Sequence, residues 1–219
     1  MGIFFGENIT MNKREHWQQV YQTKSETDVS WFQSSANLSL TLIDQSCQKS
    51  TPIIDIGGGA SCLVEQLVDR HYSNLSVLDI SQQALDIAKK NLLKNVSSSS
   101  LNCVSWHCSD LLTFSFETDS FGLWHDRAVF HFLTEDSEQL AYLKQLNKAL
   151  KVDGFAVIST FDIGGPTQCS GIPIKQYSWQ TLSERLGGNF ELISHHQQTH
   201  RTPFDTDQAF NYCLFKKVK

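Results

Sequence analysis

From position 51 to about 160, short strand-like apolar runs alternate with stretches of helical periodicity. The runs fall at 52–56, 75–79, 102–107, 121–125 and 154–161, and the helical patterns near 60–71, 81–94 and 135–151. Alternation of this kind predicts one parallel sheet with helices on both faces. The third helix is expected to stop at Lys151-Val152-Asp153-Gly154, with glycine as the left-handed residue before the next strand. A further helix near 178–187 is followed by two more strands, Phe190 to His196 and Ala209 to Phe215, separated by Thr202-Pro203-Phe204-Asp205-Thr206. These fit a hairpin-like pair that closes the sheet. Ser97 to Ser100 reads as a polar loop inside the repeating pattern and not as a linker between domains.

The first run ends in chemistry. Thr51-Pro52-Ile53-Ile54-Asp55-Ile56-Gly57-Gly58-Gly59-Ala60 is an apolar strand that passes through an acid into a glycine turn. Glycine lets the backbone approach a ligand closely and adopts positive φ without steric cost. A dinucleotide fingerprint would place its third glycine at position 62, where Cys62 stands, which weakens a dehydrogenase reading. The second run, Leu75-Ser76-Val77-Leu78-Asp79-Ile80, closes on an acid 20 residues beyond Gly59, the spacing at which a carboxylate can receive ribose hydroxyls. The alternative role for Asp79 is a helix cap, although Ser81 can cap while Asp79 binds. The third run ends in Ser109-Asp110-Leu111.

In this order, the Asp-x-Gly-x-Gly loop, the second acid and the Ser-Asp-Leu turn resemble class I S-adenosylmethionine (SAM) dependent methyltransferases, over roughly residues 12 to 217. The resemblance implies a Rossmann-like α/β fold, a mostly parallel seven-stranded sheet with an antiparallel last strand, and SAM as cofactor. It implies cofactor contacts from Asp55, Gly57, Gly58, Gly59, Asp79, Ile80, Ser109, Asp110 and Leu111. His16-Trp17-Gln18-Gln19-Val20-Tyr21, with Trp31-Phe32 ten residues on, is similar to the N-terminal cap of thiopurine S-methyltransferases and of small protein-lysine methyltransferases of the citrate synthase lysine methyltransferase kind. By that similarity Trp17, Tyr21 and Trp31 flank the cofactor; simple core packing is the alternative. Residues 1–50 are thus expected to form a helical cap over a 51–219 core, all in one structural domain.

Acceptor chemistry is expected at the end of the fourth run, Trp124-His125-Asp126-Arg127-Ala128-Val129-Phe130-His131. Asp126-Arg127 after a strand containing Trp124 resembles a segment of the thiopurine methyltransferase family, which implies that Arg127 faces the substrate. An Asp126–Arg127 ion pair at the strand exit is the competing reading. His125 is a candidate cofactor contact or base, and His131 is expected to pack in the following turn. The segment from Phe161 to Tyr177, interrupted by Gly164, Gly165 and Pro166, is a second substrate element, with Cys169 as a wall residue.

Composition narrows the partners. At 219 residues the chain can bury a core without disulfides. Lys and Arg number 18 against 23 acids, so the net charge of −5 argues against a nucleic-acid backbone and leaves a small-molecule acceptor ahead of a protein. A protein-lysine acceptor is the alternative, and a non-catalytic SAM-binding module a second one. The sequence assigns no oligomeric state. No apolar stretch approaches the roughly 20 residues of a membrane span, and Met1-Gly2-Ile3-Phe4-Phe5-Gly6 lacks the pattern of a signal peptide, so a cytoplasmic location is expected. Gly6 stands where a myristoylation signal needs Ser or Thr, and Met11 is an alternative start. Six scattered cysteines form no zinc-ligand spacing, and His195, His196 and His200 lie along a strand and its exit, so no metal is expected.

Overall fold

The computed structural model describes residues 12–95 and 102–219. The possible start at Met11, the Gly2 and Gly6 pattern and the Ser97–Ser100 loop lie outside the described residues. In chain order the elements are α1 (Lys13–Thr23), α2 (Asn37–Ser46), β1 (Ile53–Ile56), α3 (Leu63–Asp69), β2 (Leu75–Asp79), α4 (Gln82–Asn95), β3 (Val104–Cys108) and β4 (Phe121–Arg127). They continue with α5 (Asp136–Ala149), β5 (Leu150–Phe161), the two-residue strands β6 (Gln168–Cys169) and β7 (Ile172–Pro173), α6 (Trp179–Leu186), β8 (Phe190–Arg201) and β9 (Asp207–Lys217).

Seven strands form one sheet in the order β3-β2-β1-β4-β5-β9-β8. The pairs from β3 to β5 are parallel, and β9 inserts antiparallel between β5 and β8. All four residues of β1 and all five of β2 are buried, because helices cover both faces of a parallel sheet. Alternation along each strand then sorts side chains between two cores. Ile54, Ile56, Trp124 and Ile158 pack with Tyr142 and Leu146 of α5 and Leu182 of α6. Ile53, Val77 and Leu123 pack on the opposite face with Leu40 and Ile43 of α2, Leu63 and Leu67 of α3, and Leu85 and Leu92 of α4.

Several boundaries differ from the sequence expectations. The helix expected at 60–71 is confined to α3, and the third strand begins at Val104 after a short helical turn. β5 starts directly after α5, at Leu150 and not at 154; the left-handed conformation expected of Gly154 belongs to Asp153, with φ of 64°. A glycine does serve that purpose after α6, where Gly187 has φ of 75°. The expected cap of residues 1–50 divides. α2 is a core helix whose Leu40, Leu42 and Ile43 are fully buried against the sheet, so only the segment before it covers the strand ends.

Candidate cofactor and acceptor site

Strand order reverses between β1 and β4, and in an open α/β sheet the crevice outside the carboxyl ends at such a point receives the ligand. Two adjoining cavities occupy it. The larger, about 170 Å³, is lined by Gly57, Asp79, Ile80, Ser109, Asp110, Leu111, Arg127, Val129, Phe132 and the three cap aromatics Trp17, Tyr21 and Trp31. The smaller, about 70 Å³, is lined by Asp55, Gly57, Gly58, Ser61, Cys62, His125 and Arg127. Gly57 and Arg127 belong to both, so a long ligand with its bulkier end in the first cavity can reach the second between them.

The glycine loop is shaped by its neighbours. Gly57 has φ of 63°, and a Cβ there would collide with Val129. A Cβ on Gly58 would strike the Asp55 carboxylate, and one on Gly59 would crowd Asp79 Oδ2 and Ala84. Gly59 itself lines neither cavity; its lack of a side chain makes room for Asp79. Asp79 Oδ1 accepts the Ser81 N–H at 2.8 Å, while Ser81 Oγ caps α4 by accepting the Ala84 N–H at 3.2 Å. Burial, reinforced by nearby Asp55, raises the Asp79 carboxyl to about 7, against the opposing pull of the Ser81, Gly59 and Ile80 backbone N–H groups. A buried carboxyl poised in this way gains by receiving hydroxyl donors from a ligand. On the far side, Asp110 Oδ1 accepts the Leu112 N–H at 2.9 Å, which fixes the Ser109–Leu111 turn against the larger cavity. The acids, the turn and the cradle that any added Cβ would fill suit a nucleoside cofactor.

α1 roofs this edge and is tied on three sides. Gln18 Oε1 accepts from Ser81 Oγ at 3.0 Å and from the Gln83 N–H at 3.2 Å, so α1 helps to cap α4. His16 Nε2 pairs with Ser170 Oγ at 3.2 Å beside the β6–β7 hairpin, and Lys13 pairs with Glu138 at the start of α5. Beneath the roof Trp17 meets Trp31 and Phe132 edge to face, with centroids at 5.6 and 5.1 Å, and Tyr21 meets Trp31 at 6.3 Å. These rings pack on one another and also line the cavity, so the two roles weighed for them from the sequence coexist. Gln18, Phe132 and Glu138 were not singled out in the sequence. Gln18 lies in the same segment as Trp17 and Tyr21, but no local pattern marks a glutamine as a cap for a helix 60 residues away.

The end of β4 differs from expectation at Asp126 and in one of the two roles weighed for His125. Alternation sends His125 and Arg127 to one face of the sheet and Asp126 to the other. Asp126 is completely buried beneath α5, where it accepts from Tyr142 Oη at 2.7 Å, the Val129 N–H at 2.8 Å and the Phe130 N–H at 3.1 Å. It lines neither cavity and forms no ion pair with Arg127, so it is a structural anchor for the turn after β4. Burial raises it to about 6, although Tyr142 and the two N–H groups pull the other way. His125 reaches the smaller cavity with both ring nitrogens engaged, Nδ1 with Asp55 Oδ1 at 2.7 Å and Nε2 with Ser39 Oγ of α2 at 2.9 Å. The acid of the first motif and the fourth strand are thereby locked to α2, and His125 has no free nitrogen with which to act as a base. Only Arg127 of the three presents its side chain to both cavities.

Other titratable groups near the cleft are held away from base catalysis. Burial lifts Cys169 to about 11, which keeps this wall residue a thiol. Burial, with Asp79 adding to it, pushes the Tyr21 phenol well above its ordinary value. His131, expected to pack in the turn after β4, is fully buried; burial and nearby Arg127 lower it to about 3, and its Nδ1 accepts the Phe161 N–H at 3.3 Å. In β8, His195 stacks on Trp179 with centroids at 4.9 Å, and His200 Nε2 donates to the Ser30 carbonyl at 2.8 Å.

A glycine loop at the switch point, two acids at successive strand ends and an antiparallel strand inserted beside the fifth define a Rossmann-like domain built for a nucleoside cofactor. Residues 53–154 match the family described as a methyltransferase domain. Over 164 residues, 68% of each chain, the sequence is 23% identical to EEF1A lysine methyltransferase 2 of Homo sapiens. Among solved structures, a SAM-dependent methyltransferase from Anabaena variabilis superposes with a TM-score of 0.72 at 16% identity, covering 94% of this chain and 96% of that one. The N-methyltransferase NodS from Bradyrhizobium japonicum, in complex with S-adenosyl-L-homocysteine, superposes with a TM-score of 0.67 at 17% identity, covering 92% and 98%. Residues 53–154 are thus a methyltransferase domain, set in the fold of class I SAM-dependent methyltransferases.

Proposed function

We propose that the enzyme transfers the SAM methyl group to a small-molecule nucleophile that already has electron density to donate near neutral pH. The observation that carries this reading is the roofed cleft. α1, tied to α4, α5 and the β6–β7 hairpin, encloses the edge where an acceptor would meet the cofactor. Asp79 would hold the ribose, Ser109 to Leu111 the adenine side, and the Gly57–Gly59 cradle the amino-acid tail. Bound SAM supplies an activated methyl group; the chain's own residues orient the partners and exclude water, and orientation alone can contribute about 7–11 kcal/mol. With Cys169 at about 11, Tyr21 raised and His125 fully engaged, the cleft favours an acceptor that needs little deprotonation, such as a thiol near 8.5, over an ammonium near 10.4.

A protein-lysine acceptor is the second reading. It is favoured by the similarity to the human lysine methyltransferase and by the rings of Trp17, Trp31 and Phe132 on the cleft wall, which can receive a cation. Incubating the full chain with methyl-labelled SAM and a cell lysate separates the two. The proposal expects label in the low-molecular-weight fraction; label confined to protein would overturn it in favour of lysine.

A further inference from the structure

Arg127 has more donors than partners. Its Nε donates to Tyr212 Oη at 2.9 Å and its Nη1 to the Trp31 carbonyl at 3.2 Å, while the Phe210 ring lies 4.6 Å from the guanidinium carbon. These contacts fix the plane of the group from β9 and from the cap. Nη2 is shut off from solvent and has no hydrogen-bond partner. Among the described residues no carboxylate pairs with this guanidinium: Asp126 lies on the far face, Asp55 holds His125 through Oδ1 with its Oδ2 left unpartnered, and Glu138 pairs with Lys13. The side chain nevertheless lines both cavities.

A half-buried cation without a paired counter-ion is costly to hold, and arginine keeps its charge in any environment. A planar guanidinium that is fixed on two sides, lines both cavities and still has an N–H group without a partner matches a carboxylate or a similar planar anion. We infer that Arg127 is the recognition group for an anionic substituent on the methyl acceptor, so that the substrate is a small nucleophile carrying a carboxylate or an equivalent negative group. The inference rests on the small-molecule reading above and adds the charge of the substrate to it. Tyr212 and the Trp31 carbonyl act as positioning groups, and the Trp31 contact couples the cap to the acceptor wall. An ammonium acceptor would meet this guanidinium as a like charge.

The test uses three thiols of similar size and different charge, 3-mercaptopropionate, 2-mercaptoethanol and cysteamine, titrated into the full chain saturated with S-adenosylhomocysteine, with tryptophan fluorescence as the signal. The anionic thiol should bind about ten- to a hundredfold more tightly than the neutral one, and the cationic thiol most weakly. Arg127→Met should abolish this preference and Arg127→Lys retain part of it, each variant being titrated at a concentration of S-adenosylhomocysteine that saturates it. Equal binding of the three thiols, or a preference that survives in Arg127→Met, would overturn the inference. So would a variant that binds S-adenosylhomocysteine weakly but 5′-methylthioadenosine normally, because the guanidinium would then serve the cofactor's own carboxylate. Failure of the small-molecule reading shows elsewhere, as label found only in protein in the lysate experiment.

Discussion

Asp79 and Asp126 stand at the carboxyl ends of two strands of the same sheet, both buried and both raised in pKa by that burial, yet the protein treats them in opposite ways. Asp126 is surrounded by donors from its own chain: Tyr142 Oη and the Val129 and Phe130 N–H groups close around it. Asp79 accepts the Ser81 N–H at 2.8 Å and feels the Gly59 and Ile80 N–H groups, but unlike Asp126 it also lines the larger cavity. A carboxylate enclosed on the far face of the sheet holds structure; one that borders the cavity can also receive a ligand. The same contrast separates His125, engaged at both nitrogens, from Arg127, which keeps a buried donor in reserve.

The largest effect should come from the satisfied acid. Asp126→Ala leaves three buried donors without an acceptor and should cost about 3–5 kcal/mol of stability. For a chain of this size that is a fall in melting temperature on the order of 10 °C. Affinity for S-adenosylhomocysteine, measured by calorimetry below the melting point, should barely change. A stable variant that had lost the cofactor would break the contrast.

Asp79→Ala should do the reverse. Loss of a charge-assisted contact to ribose hydroxyls is worth roughly 1.5–3 kcal/mol, or about ten- to a hundredfold in affinity, with a smaller fall in the melting temperature of the free protein than Asp126→Ala gives, because relief of a buried carboxyl offsets the lost acceptor for the Ser81 N–H. In the free protein the folded state keeps the Asp79 proton up to about pH 7, whereas the unfolded chain releases it near 3.9. This group therefore makes the folded state less stable as pH rises from about 4 to 7, and removing it relieves that penalty.

A smaller effect is expected at the roof. Gln18→Ala removes the acceptor for Ser81 Oγ and the Gln83 N–H and should cost about 1 kcal/mol. Cleavage between Lys13 and Ser35 should quicken, and saturating S-adenosylhomocysteine should slow it again. Equal cleavage rates in parent and variant would remove Gln18 from the closure of the cleft.

The contrast was half visible in the sequence. β1 and β2 were legible because strands buried on both faces read as unbroken apolar runs, and Asp79 stands out as the acid that ends one. Asp126 was assigned to the substrate side because proximity to Arg127 in sequence stood in for proximity in space, although alternation along a strand places adjacent residues on opposite faces. The early start of β5 was hidden by Lys151, Val152 and Asp153, three exposed positions whose single apolar residue makes no run. The β6–β7 hairpin has two residues per strand, too few for any periodicity. Contacts such as Gln18 to Ser81 and His125 to Ser39 join segments that only the folded chain brings together, so no local pattern announces them.

The most direct test is the pH dependence of S-adenosylhomocysteine affinity in the parent and in Asp79→Asn. If the ligand's hydroxyls are received by an ionised Asp79, binding must expel the proton that burial retains up to about pH 7. Affinity should then fall about tenfold for each pH unit below that value and level off above it. The Asn variant, which keeps an acceptor for the Ser81 N–H but cannot ionise, should bind more weakly and with a flat profile through this range. Identical profiles in the two proteins would contradict the assignment of Asp79 as the open, ligand-receiving carboxylate.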